Sequence, residues 1–183
     1  MRSLPTGPLP ADSLHRACTR YGPGRLPGAD RPAVGAGYAA ASAALAATLL
    51  FAVGAITGET VGLLSSNDGI VWFAFAGLAV PVVLPTAFLV GVAVWRLLPS
   101  DVPFFGPVAG LLGTLGTYVA SLIAVTVILT ASAALGLSGA DPVNAAAFSF
   151  GVVALGFSIT WWVTLPVGAV SGTVYTAVLE ESE

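Results

Sequence analysis

The sequence predicts an all-α membrane protein, a bundle of four transmembrane helices, and three observations carry that expectation. Of 183 residues, 56% are hydrophobic and 8% are charged, against about a quarter charged in a soluble domain. Mean hydropathy is +0.93. Charge-free apolar stretches run well beyond the ~18 residues that mark a spanning helix, so the bilayer is the solvent for most of this chain.

The first 32 residues are polar and broken by Pro5, Pro8, Pro10, Pro23, Pro27 and Pro32. They read as a disordered tail that cannot bury a core, with a short helix at 11–19 as its only candidate element. Neither an apolar leader, nor paired arginines, nor a glycine after Met1 occurs there, so no secretory, twin-arginine or myristoylation signal is expected. The first span is expected at about 34–57, with Asp30 as N-cap and Gly58 just past its end. The second follows Asn67-Asp68-Gly69 and runs over about 70–98 before Pro99. Its Trp72 and Trp95 are separated by roughly 35 Å of helix, the distance between two aromatic belts, and Arg96 beside Trp95 can snorkel to lipid phosphates; these three residues are expected to anchor the helix at the two interfaces.

The third span is placed at about 107–135, preceded by Phe104 and Phe105 at the interface. The fourth is placed at about 145–179, opened by Asp141 as N-cap and Pro142 at the first helical position. As one rod the last stretch approaches 55 Å, beyond the ~30 Å hydrocarbon core. Either its first turns stand in the headgroups, or 142–157 forms a separate interfacial or re-entrant helix. An acidic tail, 180–183, closes the chain. Prolines 81, 85 and 166 predict bends in spans two and four.

Orientation follows from the arginines. Arg2, Arg16, Arg20, Arg25, Arg31 and Arg96 all fall on one side of a four-span chain, and the other two loops carry no Lys or Arg. The positive-inside rule then expects both termini in the cytoplasm, N-in and C-in, with the protein in the cytoplasmic membrane. The absence of lysine beside abundant Ala, Gly, Val, Pro and Arg suggests a GC-rich prokaryotic genome. A shift of 81 residues brings Leu84-Pro85 onto Leu165-Pro166 and Gly91 onto Gly172. The two hairpins can therefore be tandem parallel repeats; chance matching in an Ala/Gly/Leu/Val alphabet is the alternative.

Composition narrows the chemistry as well. Net charge is −3, with no lysine and no basic face for nucleic acid. One cysteine, Cys18, and one histidine, His15, exclude an intrachain disulfide and the usual zinc sites, and no cofactor is expected. The spans contain no ionisable Asp, Glu, Lys, Arg or His, which disfavours proton relays and voltage sensing. Glu59, Asp68 and Asp141 read as loop carboxylates, with a weak cation-attracting ring as the alternative. No nucleophile–base pair appears, so an enzyme is not expected.

What the spans offer is small residues and hydroxyls. Gly106, Gly110, Gly113 and Gly116, with Gly168 and Gly172, let helix backbones approach closely, within the chain or between copies. Thr117 and Ser121 are one turn apart, as are Thr160 and Thr164. These four are the candidate lining of a solute path, against the commoner habit of bonding back to their own helices. The leading expectation is an accessory or structural subunit of a membrane complex, in contact with lipid and a membrane partner. The alternative is a homo-oligomeric channel or permease for a neutral or weakly cationic small solute.

Overall fold

The computed structural model describes residues 26–28, 31–63, 68–98 and 104–180. Expectations placed on residues 1–25, Asp30, Asn67, Pro99 and 181–183 fall outside these. The described chain is all-helical: α1 (Pro32–Thr60), α2 (Asp68–Leu97), α3 (Phe105–Ala134) and α4 (Pro142–Glu180). Each is long and apolar enough to cross a membrane.

Local chemistry sets the boundaries. Pro32 opens α1 at its first turn, where a missing N–H costs nothing; Arg31 is the N-cap and offers no side-chain cap bond. The helix does not stop at Gly58. It continues to Thr60 and closes on Gly62, whose φ of +76° suits a residue without Cβ. There the N–H of Leu63 donates to Gly58 O at 2.8 Å and that of Gly62 to Glu59 O at 3.1 Å. The end of α3 repeats this arrangement: Leu137 N–H donates to Ser132 O at 2.9 Å and Gly136 N–H to Ala133 O at 3.0 Å, with Gly136 at φ +70°. Both are Schellman motifs, which occupy carbonyls that a helix end would otherwise leave open. Asp141 caps α4, its Oδ1 accepting from Val143 N–H at 2.8 Å and from Asn144 N–H at 3.3 Å.

The fourth helix is one continuous element of 39 residues, roughly 58 Å long. A separate helix over 142–157 is therefore not what the chain forms. Pro166 in α4, and Pro81 and Pro85 in α2, sit inside unbroken helices with their rings on exposed faces.

The helices form a ring in chain order. α1 packs chiefly on α2, and α3 on α4; thinner seams join α2 to α3 and α4 to α1, and α1 barely reaches α3. Two tight hairpins thus meet across a looser plane. Element boundaries do not fix one offset between the hairpins: Phe105 lies 73 after Pro32, Ala134 lies 74 after Thr60 and Pro142 lies 74 after Asp68, whereas Glu180 lies 83 after Leu97.

Burial is inverted relative to a water-soluble protein. The fully buried apolar side chains are all alanines, among them Ala36, Ala47, Ala87 and Ala109, whereas Leu50, Val53, Leu78, Ile123 and Phe150 are exposed. Water would penalise such a surface at ~25 cal/mol per Å². Lipid does not, and small interior residues let the helix backbones approach. This is a multi-pass membrane protein by its surface as well as by its helix lengths.

Candidate functional site

Glycine contacts hold each hairpin together near the end of the bundle where α1 begins and α4 ends, its terminal end. In the second hairpin Gly106 and Gly110 of α3 interlock with Gly168 and Gly172 of α4. A Cβ on Gly110 would strike Gly168 O, one on Gly172 would strike Gly106 O, and one on Gly168 would strike Thr114 Oγ1. In the first hairpin, Gly37 faces Gly91; a Cβ on Gly91 would lie 2.7 Å from Ala40 Cβ and 3.0 Å from Gly37 Cα. The remaining candidate glycines do other things. Gly116 lies against Val90 of α2, and a Cβ there would come 2.8 Å from Val90 Cγ1. Gly113 is buried, yet a Cβ there would meet nothing within 4 Å, because it faces a cavity.

That cavity, about 470 Å³, runs between the two hairpins and is walled by all four helices. Along α4 its wall extends from Phe148 to Tyr175, which is roughly 40 Å of helix. Ala, Gly, Val and aromatic side chains make up most of the surface. Thr117, Ser121, Thr160 and Thr164 all line it. The structure pairs them differently from the sequence spacing: Thr160 and Thr164 converge on Tyr118, Ser121 bonds to Thr86 of α2 at 3.0 Å, and Thr117 returns to Gly113 O at 2.7 Å.

Proton counting shows what these groups can still do. Thr160 donates to Gly156 O at 2.7 Å, so Tyr118, 2.6 Å away, donates to Thr160 Oγ1. Thr164 stands 2.9 Å from the Tyr118 oxygen and 3.1 Å from Thr160 O, and its proton serves one of the two. Thr86 bonds to Val82 O at 2.8 Å, which leaves Ser121 as the donor between them. Thr48 and Thr114 bond to carbonyls one turn back, and Tyr175 donates to Pro32 O at 2.6 Å. Ser171 reaches across to Ala39 O at 3.4 Å. Every hydroxyl on the wall is therefore bonded inside the protein, as membrane interiors require. Tyr118 is the bolt between α3 and α4. Tyr118→Phe is expected to cost about 1 kcal/mol, the net worth of one such bond, with the fold retained; thermal unfolding in detergent reads it.

At the terminal end the cavity meets an aromatic cluster. Trp95 of α2 contacts Phe105 of α3 and Tyr175 of α4 edge-on, both with ring centroids 4.8 Å away. Through its hydroxyl Tyr175 also holds α1, so all four helices meet at this plug. Trp95 thus packs inward rather than serving only as a lipid anchor, while Arg96 stays exposed in the last turn of α2. Trp72 is half-buried and contacts Phe75 on its own helix, 6.1 Å between centroids. At the opposite end, half-buried Glu59 covers Gly69, and exposed Asp68 and Asp141 begin α2 and α4.

Sequence spacing did not disclose Tyr118, Thr86, or the pairing of Gly37 with Gly91. Their partners are distant in the chain, and only the last pair left a trace, as glycines in otherwise regular spans.

No protein-family model matches the chain, and no curated protein and no solved structure matches it either.

Proposed function

We propose that this chain is a non-enzymatic subunit of a membrane-embedded assembly, and that a partner helix seats on the outer face of α4. One observation carries the reading. Ala147, Gly151, Ala154, Ser158 and Trp161 are all exposed and recur at alternating intervals of four and three residues. That is the spacing of a helix–helix seam. A Cβ on Gly151 would meet nothing within 4 Å. The exposed face of α3 is different, with Leu111, Leu115, Val119, Ile123 and Val127, a surface that lipid tails cover as well as any helix does. Small residues on a lipid-facing surface gain by backbone approach, which only another helix supplies. Trp161, 50% exposed at mid-length of α4, sits far from the interfacial belts that tryptophan favours and suits the centre of a contact.

Among the described residues no acid or base lines the cavity apart from the phenols of Tyr118 and Tyr175, which supports a role without catalysis. The channel reading draws on the same cavity, since Thr117, Ser121, Thr160 and Thr164 all line it. Internally spent hydroxyl protons and the aromatic plug weigh against a hydrated path. A cytoplasmic location for both termini is supported by Arg31 and Arg96, which lie where α1 begins and α2 ends, whereas the described parts of the turns carry no arginine.

The test is the mass and composition of the particle extracted in mild detergent from its native membrane, without overexpression. A second polypeptide is expected in wild type. In Gly151→Leu its retention is expected to fall about tenfold or more, as large side chains do at small-residue seams, with the helical content of this chain unchanged. A solitary monomer contradicts the proposal; a symmetric homo-oligomer moves the weight to the channel.

A further inference from the structure

We propose that the cavity between the hairpins binds one acyl chain of a bilayer lipid, which enters from the leaflet on the side of the hairpin turns and directs its terminal methyl toward Trp95. The inference is independent of the partner on α4, because the cavity wall and the exposed seam share no residue of that helix.

Chemistry, size and shape point to the same occupant. Among the described residues no charged side chain lines the cavity, and each wall hydroxyl is bonded within the protein, so an occupant meets carbon. Water needs two to four polar partners to stay in such a place, and the wall supplies few. An empty space of this size would forfeit the dispersion contacts of its whole lining. At ~30 Å³ for a water-sized unit, about 470 Å³ holds roughly sixteen such units. The wall is elongated along α4, from Phe148 to Tyr175, which suits part of a chain rather than a compact ring. Phe75 narrows it further, reaching from α2 to 3.8 Å from the Cβ position of Gly156 on α4.

The two ends of the cavity differ. Trp95, Phe105 and Tyr175 close the terminal end, with the Tyr175 hydroxyl bonded to Pro32 O. Toward the turns the wall includes Leu78, 77% exposed, and Phe148, 64% exposed. They lie about 15 Å and 9 Å along their helices from Asp68 and Pro142, within one leaflet of a ~30 Å core. An apolar slot with an aromatic cluster at one end and exposed wall residues toward the other is a seat for a lipid tail whose headgroup stays at the turn-side interface.

The experiment uses the full chain purified in mild detergent, washed, and analysed by intact-particle mass spectrometry with identification of the extracted lipid. One diacyl lipid retained per chain is expected. Gly113→Leu places its side chain in the cavity, where a Cβ meets nothing within 4 Å, and is expected to lower retention about tenfold or more by occupying the site. Retention unchanged by that variant overturns the proposal, as does recovery of detergent alone or of a stoichiometric isoprenoid in place of the acyl lipid. A second measurement does not need the variant to fold. With Trp72, Trp161 and Trp162 replaced by Phe, Trp95 fluorescence is titrated with phospholipid brominated either near the acyl terminus or near the headgroup. Stronger quenching by terminal bromine is expected; equal quenching by the two lipids contradicts the proposed direction of the chain.

Discussion

Replacing Gly168 with isoleucine is expected to prevent the second hairpin from closing, the largest effect foreseen for any single substitution in this chain. A Cβ at this position runs into Thr114 Oγ1 and comes within 3.0 Å of Gly110 O. One of these obstacles is main chain, which has no rotamer to escape through. α3 and α4 would have to separate along the stretch where Gly106, Gly110, Gly168 and Gly172 interlock, and the Tyr118 bonds to Thr160 and Thr164 would go with it. Overpacking in a tight core usually costs 1–3 kcal/mol; a backbone obstacle belongs at or above the upper end, roughly 3 kcal/mol or more. The readout is the yield of helical, monodisperse protein in detergent. Gly151→Ile is the matched control, since Gly151 is exposed with nothing within 4 Å of its Cβ position. It is expected to leave the fold of this chain within about 0.5 kcal/mol of wild type, as ordinary surface substitutions do. Equal tolerance of both variants would remove the interlock from the account.

Trp95→Ala carries the second largest expected effect. The indole bridges Phe105 and Tyr175 at 4.8 Å each, and through Tyr175 O–H···O=C Pro32 the contact reaches α1. Losing it removes the plug at the terminal end of the cavity and weakens the seams between the hairpins, which are thinner than those inside them. Truncation of a buried Trp to Ala costs 3–5 kcal/mol; Trp95 is half-buried, so about 3 kcal/mol is expected, measured by unfolding in detergent. Trp161→Ala is the control, because that ring is 50% exposed and lies outside the aromatic cluster of Trp95, Phe105 and Tyr175. A Trp95→Ala protein as stable as Trp161→Ala would mean that the aromatic cluster does not close the bundle.

Residues that act through local rules were legible in the sequence. Long runs without charge gave the four spans, because lipid admits little else. Asp141 before Pro142 announced a helix start that the cap bonds now display. Residues that act through partners on other helices were not legible. Trp72 and Trp95 have the spacing of two interfacial belts, and that spacing reads the same whether lipid or a neighbouring helix covers the ring; Trp95 turns out to face Phe105 and Tyr175. Gly58 looked like a helix end because glycine often ends helices, but Gly62, four residues on, has the left-handed backbone and the Schellman bonds. Among the glycines of α3, the sequence could not separate Gly110, pressed on α4, from Gly113, facing the cavity, or Gly116, on α2. One helical turn or less divides each from the next, and only the crossing of the helices decides which neighbour each meets. Thr117 and Ser121 share a turn yet bond to different elements, for the same reason.

Four spans arranged as two hairpins require both turns to lie on the same side of the bilayer. Thiol accessibility tests it most directly. Leu63→Cys and Ser138→Cys, at exposed turn positions, are labelled in intact cells with a membrane-impermeant maleimide, and the native Cys18 in the N-terminal segment serves as the internal reference. Both turn cysteines are expected to react from outside, with Cys18 reacting only after permeabilisation. Labelling of the two turns from opposite sides of the membrane would contradict the four-span bundle.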